Sequence, residues 1–333
     1  MASPLDVRIR GDANINLVVM AAMIRNLPNI VSPRLVPKIC FNYPSVRAEE
    51  YFVHVNAVPK ARKWTEERAG GMIASIKQTV TNDTYEVSLG ISGDDWQDDQ
   101  IGLYTPLAQE VMTSLILAAD ELVVDNLITK AYSPGIACFD GANFYATTHA
   151  WPNGEYTTSQ VNYNGGTGVS DAGTIETDFY TALAAMQSWK DDRGRPKMYQ
   201  QAFMDPNNLI VHHSIAVQGM MQAVFDTDKS GAPFNMPVGT TNTTTFRQSR
   251  ACGMAVRVPD PHLTGNTWYL HFTGGPMLAQ KPFVFLDREA PSVVIFSKGS
   301  EHYEKYNEVL ILGKRRFGLG VLRPECSQMI YNA

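Results

Sequence analysis

Six residues hold the densest group of ionisable side chains in the sequence: Asp94-Asp95-Trp96-Gln97-Asp98-Asp99. Carboxylates at this spacing could ligate a hard cation, or supply a general acid/base pair. The same composition suits a solvated loop with helix-capping aspartates, and that is the preferred reading. A third use is an ionic contact between copies. Its partner would be the basic stretch Lys60, Arg62 and Lys63, or the triplet Lys314-Arg315-Arg316. His212 and His213 are adjacent at the end of an expected strand, so their side chains diverge. Two metal ligands on a strand would stand two residues apart. Helix capping or surface placement is the simpler expectation.

Other chemistry is missing. Cys40, Cys138, Cys252 and Cys326 are far apart and form no C-x-x-C pair. They are expected to be buried or half-buried thiols in a reducing compartment. No phosphate loop, dinucleotide fingerprint, H-E-x-x-H, nucleophile elbow or EF-hand loop is present. Thr273-Gly274-Gly275-Pro276 reads as a turn. Trp64, Trp96, Trp151, Trp189 and Trp268 serve best as core or interface anchors. The sequence thus shows no catalytic, cofactor or metal constellation.

Bulk properties agree. The chain has 333 residues, 44% hydrophobic and 18% charged, with a net charge of −5. This is globular composition, with length enough for one large or two interlocked domains. A dedicated duplex-DNA reader needs a basic footprint, which this chain as a whole lacks. The apolar stretch 15–24 is too short for a bilayer, and Asp6, Asp12, Asn14 and Asn16 precede it. It reads as a short helix. No membrane partner is expected, and synthesis is expected in the cytoplasm.

Several elements could position these residues. Pro28, Pro33, Pro37 and Pro44 are closely spaced, so residues 1–50 read as an extended arm. Residues 50–58 read as a strand. Tyr85, Val87, Leu89 and Ile91 alternate with Glu86, Ser88 and Gly90, the mark of a half-buried strand. The run 73–80 is expected to pair with it across Thr81-Asn82-Asp83-Thr84. Thr105 and Pro106 start a long helix that ends at Ser133-Pro134-Gly135. Ala108, Val111, Met112, Leu115, Ala119 and Leu122 form its apolar face. Residues 150–173 and 226–248 read as polar loops. Between them Phe179, Leu183, Met186 and Trp189 define one helix face, residues 209–211 a strand, and Val217, Met220, Met221 and Val224 another helix. Strands are expected at 253–258, 267–272, 282–286, 292–296, 307–313 and 316–322.

These residues carry a resemblance. The string from Tyr85-Glu-Val-Ser-Leu-Gly-Ile-Ser through the acidic run to Gly102-Leu-Tyr-Thr-Pro is similar to the Mu-like major head subunit family. So are Pro59 with Lys63-Trp64 and Glu67-Arg68, Cys138-Phe-Asp-Gly-Ala-Asn-Phe-Tyr, and Thr148-His149. Downstream, Trp268-Tyr-Leu, Lys281-Pro-Phe-Val-Phe, Asn307-Glu308 and Phe317-Gly-Leu-Gly also fit. The resemblance is firmer over 59–149 and 267–322 than over 174–260.

The resemblance implies an α+β chain with the Hong Kong 97-type capsid fold. It places an N-terminal arm at 1–50 and the first part of a peripheral domain at 51–173. That part would include an extended loop at 61–93 and a spine helix at 105–132. An axial domain would follow at 174–260, and the rest of the peripheral domain at 261–333. The implied role is a major capsid protein of a tailed bacteriophage. It would assemble through hexamers and pentamers into an icosahedral shell around double-stranded DNA, with scaffold and portal proteins as partners. The expected location is the virion, with assembly in the host cytoplasm. The expected assembly interface is Trp64, Arg68, Lys77, Tyr85, Val87, Asp94, Asp98 and Asp99. Lys77 is the only lysine of residues 72–92, and no cross-link through it is expected. One alternative is an encapsulin-like or gene-transfer-particle shell. Another is a cytosolic hydrolase using the carboxylates of residues 94–99 with His149.

Overall fold

The structure is a computed structural model that describes residues 5–12, 15–30, 33–55, 63, 75–98, 102–152, 156–197, 205–226, 235–238, 245–274 and 281–332. It is an α+β fold built on two five-stranded sheets. The first sheet centres on two long antiparallel strands, β12 (Phe283–Phe296) and β13 (Glu308–Val321). Each of them joins two stretches expected as separate strands. Register shifts between Asp287 and Ser292 mark a bulge, which is why the alternation breaks there. β5 (Asp83–Ser92) pairs with β13, while β1 (Asp6–Arg10) and β2 (Cys40–Pro44) both lie parallel to β12.

The spine lies on one face of this sheet. α4 (Tyr104–Leu122) buries Ala108, Met112, Leu115, Ile116 and Ala119, close to the predicted apolar stripe. It begins one residue before Thr105. It continues as a wider π-helical segment, Val123–Ile128, that buries Val123, Val124, Leu127 and Ile128.

The described residues of 5–44 pack against the rest of the chain, and one pairing differs from expectation. β1 enters the sheet, and α1 (Ile15–Ile30) packs Leu17, Met20 and Ile24 into one cluster with Ala108, Met112 and Ile116 of the spine. The prolines sit where little hydrogen bonding is lost. Pro28 is in the last turn of α1, Pro37 in the first turn of α2 (Val36–Ile39), and Pro44 ends a strand at the sheet edge. The runs 73–80 and 83–91 do not pair with each other. β4 (Ser75–Thr81) pairs with β3 (Glu49–Val55) as a separate two-stranded ribbon, and β5 pairs with β13. Alternation identified the strand but not its partner.

The second sheet has the order β10 (Val256–Asp260), β7 (Leu209–Ser214), β11 (Trp268–Phe272), β14 (Ser327–Tyr331), β6 (Tyr163–Gly165). α5 (Ala172–Ser188) and α6 (Gln218–Phe225) cover it, with Phe179, Met186, Met221, Val224, Trp268 and Leu270 in one core. This lobe therefore draws on strands outside the expected span 174–260. All five residues of β11 are buried, because both of its faces are covered. A small hairpin, β8 (Asn235–Val238) with β9 (Thr245–Gln248), occupies part of the expected polar loop. α3 (Gly93–Gln97) follows β5, and α7 (Glu301–Tyr306) links β12 to β13.

Candidate assembly surface

The ribbon of β3 and β4 exposes apolar side chains on one face. Its pleat sorts side chains onto two faces. Phe52, Val80 and Ile76 pack against the chain's own clusters. Tyr51 and Val53 stand on the other face, 45% and 60% exposed, opposite Thr79 and Lys77. The Lys77 ammonium lies 3.3 Å from the centre of the Tyr51 ring, a cation–π contact that covers the ring and stays in water.

A buried polar lock fixes the base of the ribbon. The Glu50 carboxylate accepts from the Ser45 hydroxyl at 2.9 Å and from the N–H groups of Val46 and Arg47 at 3.2 Å. Those donors, the Ser45 hydroxyl foremost, hold its pKa below the usual carboxylate range. Asn82 donates to Ser45 Oγ and to the Arg47 carbonyl, each at 2.8 Å. Gly318 lets the ribbon approach: a Cβ there would stand 2.5 Å from the Thr81 carbonyl oxygen. Sequence reasoning missed Glu50 and Asn82, since each looked like an ordinary strand or turn residue.

The expected interface residues are scattered. Lys77 is exposed on the ribbon. Tyr85 and Val87 turn inward instead of offering a free surface. Tyr85 stacks on Phe317 at 4.3 Å, and Val87 packs beside the spine cluster. Burial, aided by Asp83, raises the Tyr85 pKa. Asp94 and Asp95 are exposed in the first turn of α3, and Asp98 ends it. Asn307 donates to Asp94 at 3.2 Å. Trp96 packs near Tyr104. Trp64, Arg68 and Asp99 lie outside the described residues, as do Lys60 and Arg62.

The interior carries polar groups that serve structure. His149 is fully buried, with Asp140 at 2.8 Å and the Phe144 carbonyl at 3.1 Å. Asp94, Asp95 and Asp98 are not among its partners, so the pairing a hydrolase would need is not assembled by these residues. Burial tends to raise the Asp140 pKa, but His149 outweighs it and the net direction is down. His212 and His213 are also fully buried, against the expected surface placement, because β7 is central in its sheet. His212 meets Asp260 at 2.9 Å. The thiols of Cys40, Cys138 and Cys326 are buried, Cys252 is half-buried, and all four are free. Among the described residues no group of three or more His, Cys, Asp or Glu could hold a metal ion. None of the described helices is long and apolar enough to cross a membrane.

The chain is similar in part to known proteins. Residues 29–175 match the family model of the Mu-like prophage major head subunit gpT. The major capsid protein of Escherichia phage Mu is 34% identical over 105 residues, which is 31% of this chain and 33% of that protein. The match thus spans about a third of that relative's length. The capsid of the cyanophage P-SCSP1u superposes with a TM-score of 0.58 at 10% identity, covering 91% of this chain and 89% of that one. The procapsid of bacteriophage JBD30 gives 0.51 at 18% identity, covering 97% and 77%. The fold is that of phage capsid subunits, of the Hong Kong 97 type.

Proposed function

We propose that this chain is the major capsid subunit of a Mu-like tailed bacteriophage, a structural protein that assembles with copies of itself. One observation carries the reading. The stretch matched to the head-subunit family holds the ribbon, the acidic turn of α3 and the spine helix, set in a capsid fold. The ribbon corresponds to the extended loop, moved from 61–93 to a span from β3 to β4. The second lobe corresponds to the axial domain and includes β6, β11 and β14.

In this reading the ribbon lies over a neighbouring copy and buries Tyr51 and Val53. Lys77 and the acidic turn add charge contacts at the rim. Contacts between unlike patches close into hexamers and pentamers. Many weak contacts then give a stable shell. Double-stranded DNA, a scaffold and a portal are the proposed partners, with assembly in the host cytoplasm and the virion as the final location.

Negative-stain electron microscopy after size-exclusion chromatography tests this, with and without a scaffold protein. Shells, tubes or rings of five and six are expected. A uniform monomer or dimer under both conditions would refute self-assembly.

A further inference from the structure

At the bulge of the first sheet, Arg288 and Glu289 both stand opposite Arg316, because β12 gains a residue between Asp287 and Glu289. The face is set by the neighbouring pair, Leu286 and Gly318. Asn82 at the ribbon base lies directly over them, its Oδ1 3.0 Å from where a Gly318 Cβ would be. Arg316 is two residues from Gly318 and so shares that face.

Three guanidinium nitrogens here are buried without a hydrogen-bond partner: Nε and Nη1 of Arg288 and Nε of Arg316. The neighbouring acids do not satisfy these nitrogens, and the buried Asp287 Oδ1 likewise has no hydrogen-bond partner. Glu289 is drawn to Lys314 at 3.3 Å. Asp287 acts on Arg315, whose side chain reaches the Ile116 carbonyl of the spine on the opposite face. Buried, permanently charged donors without an acceptor are costly. Both residues are only partly buried overall.

We propose that Arg288 and Arg316 form a phosphate-binding site at the base of the ribbon. A tetrahedral oxyanion offers several acceptors at once, and the planar guanidinium fork matches it with paired N–H groups. The phosphate is either the free ion or a backbone phosphate of nucleic acid. The site does not depend on the assembly reading.

Thermal unfolding of the full chain in sodium phosphate, against sodium chloride at matched ionic strength, is the test. A saturable rise in Tm specific to phosphate is expected. Arg288→Gln and Arg316→Gln should each weaken phosphate binding by about tenfold or more, the size of a lost charge-assisted contact. Short duplex DNA separates the sources. Binding that phosphate displaces, and that both variants lose, assigns the site to nucleic-acid backbone. Phosphate binding without DNA competition assigns it to the free ion. No difference between phosphate and chloride in the wild type would overturn the site, whatever the variants do. So would a phosphate effect left intact in both variants.

Discussion

Asp120 of the spine helix accepts the backbone N–H of Val36 at 2.8 Å and that of Leu35 at 3.1 Å, with Arg34 N–H on its other oxygen. It thereby caps a helix 84 residues earlier in the chain. α2 has only four residues and a leucine at its N-cap, which offers no side-chain acceptor. A carboxylate at a helix N-terminus both satisfies free N–H groups and suits the helix dipole. The consequence is register, since α2 delivers β2 to its place beside β12.

Asp120→Ala should therefore cost about 1–2 kcal/mol, the upper range for a lost cap. Amide exchange should rise at residues 35–44 more than in β13. Uniform exchange across both segments would mean that Asp120 does not hold α2.

Gly318 gives a second prediction, about the ribbon. An alanine Cβ at 318 would meet the Thr81 carbonyl oxygen at 2.5 Å, and backbone cannot swing aside as a side chain does. Gly318→Ala should destabilise by about 1–3 kcal/mol as an overpacking change and should shift the ribbon base. Gly219→Ala is the control. It lies in α6 with nothing within 4 Å of the new methyl. It should be neutral or stabilising by about 0.5–1 kcal/mol. Denaturant midpoints for the two variants check both signs.

Local pattern made much of this fold legible. The alternation at 85–91 and the stripe from Ala108 to Ala119 are read directly from residue types, because each depends on one face of one element. What stayed hidden depends on distant partners. Nothing in residues 73–92 says that β4 pairs backwards with β3 while β5 pairs with β13. β11 gave no sign of which sheet it would join, since a strand buried on both faces has no alternation to read. The polar lock of Glu50 and Asn82 and the cap by Asp120 are long-range hydrogen bonds between common residues. Without comparison across relatives, such residues look like any other carboxylate or amide. The acidic run was conspicuous, and its described aspartates, Asp94, Asp95 and Asp98, are exposed on a short helix.

The buried Glu325 carboxylate pairs with the partly buried Lys197 at 2.6 Å, with Arg323 at 3.6 Å. Burial alone would raise the Glu325 pKa, but the two cations outweigh it and hold it at about 2. Lys197→Met leaves the carboxylate buried with one distant cation, and should cost about 3–5 kcal/mol at neutral pH. Because the folded pKa is depressed, the wild-type contribution is present above the ordinary Glu range and is lost as pH falls toward 2. The gap between wild type and variant should thus narrow on acidification from about pH 4.5. A gap independent of pH would show that lost packing over Trp151, where the Lys197 ammonium lies 4.3 Å from the ring, accounts for the loss.

His213 sets an acid limit on the second lobe. Its Nδ1–H donates to the Ser214 carbonyl at 2.8 Å, and Nε2 accepts from Arg257 at 3.4 Å. That arrangement needs the neutral ring. Burial pushes the pKa down from 6.5 to about 4; the Ser214 carbonyl and Asp226 oppose it, while Arg257 and His212 add to it. The unfolded chain then binds the proton more readily than the folded one. Stability is complete above pH 6.5 and falls as pH drops toward 4. The loss is at most about 3 kcal/mol, at 1.36 kcal/mol per unit. His271, buried in β11 and also depressed by burial, acts in the same direction. His213→Gln should lower stability at neutral pH yet flatten the decline between pH 6.5 and 4. Chemical denaturation at several pH values measures the slope. An unchanged slope in the variant would move the acid sensitivity from β7 to His271 or to the carboxylates.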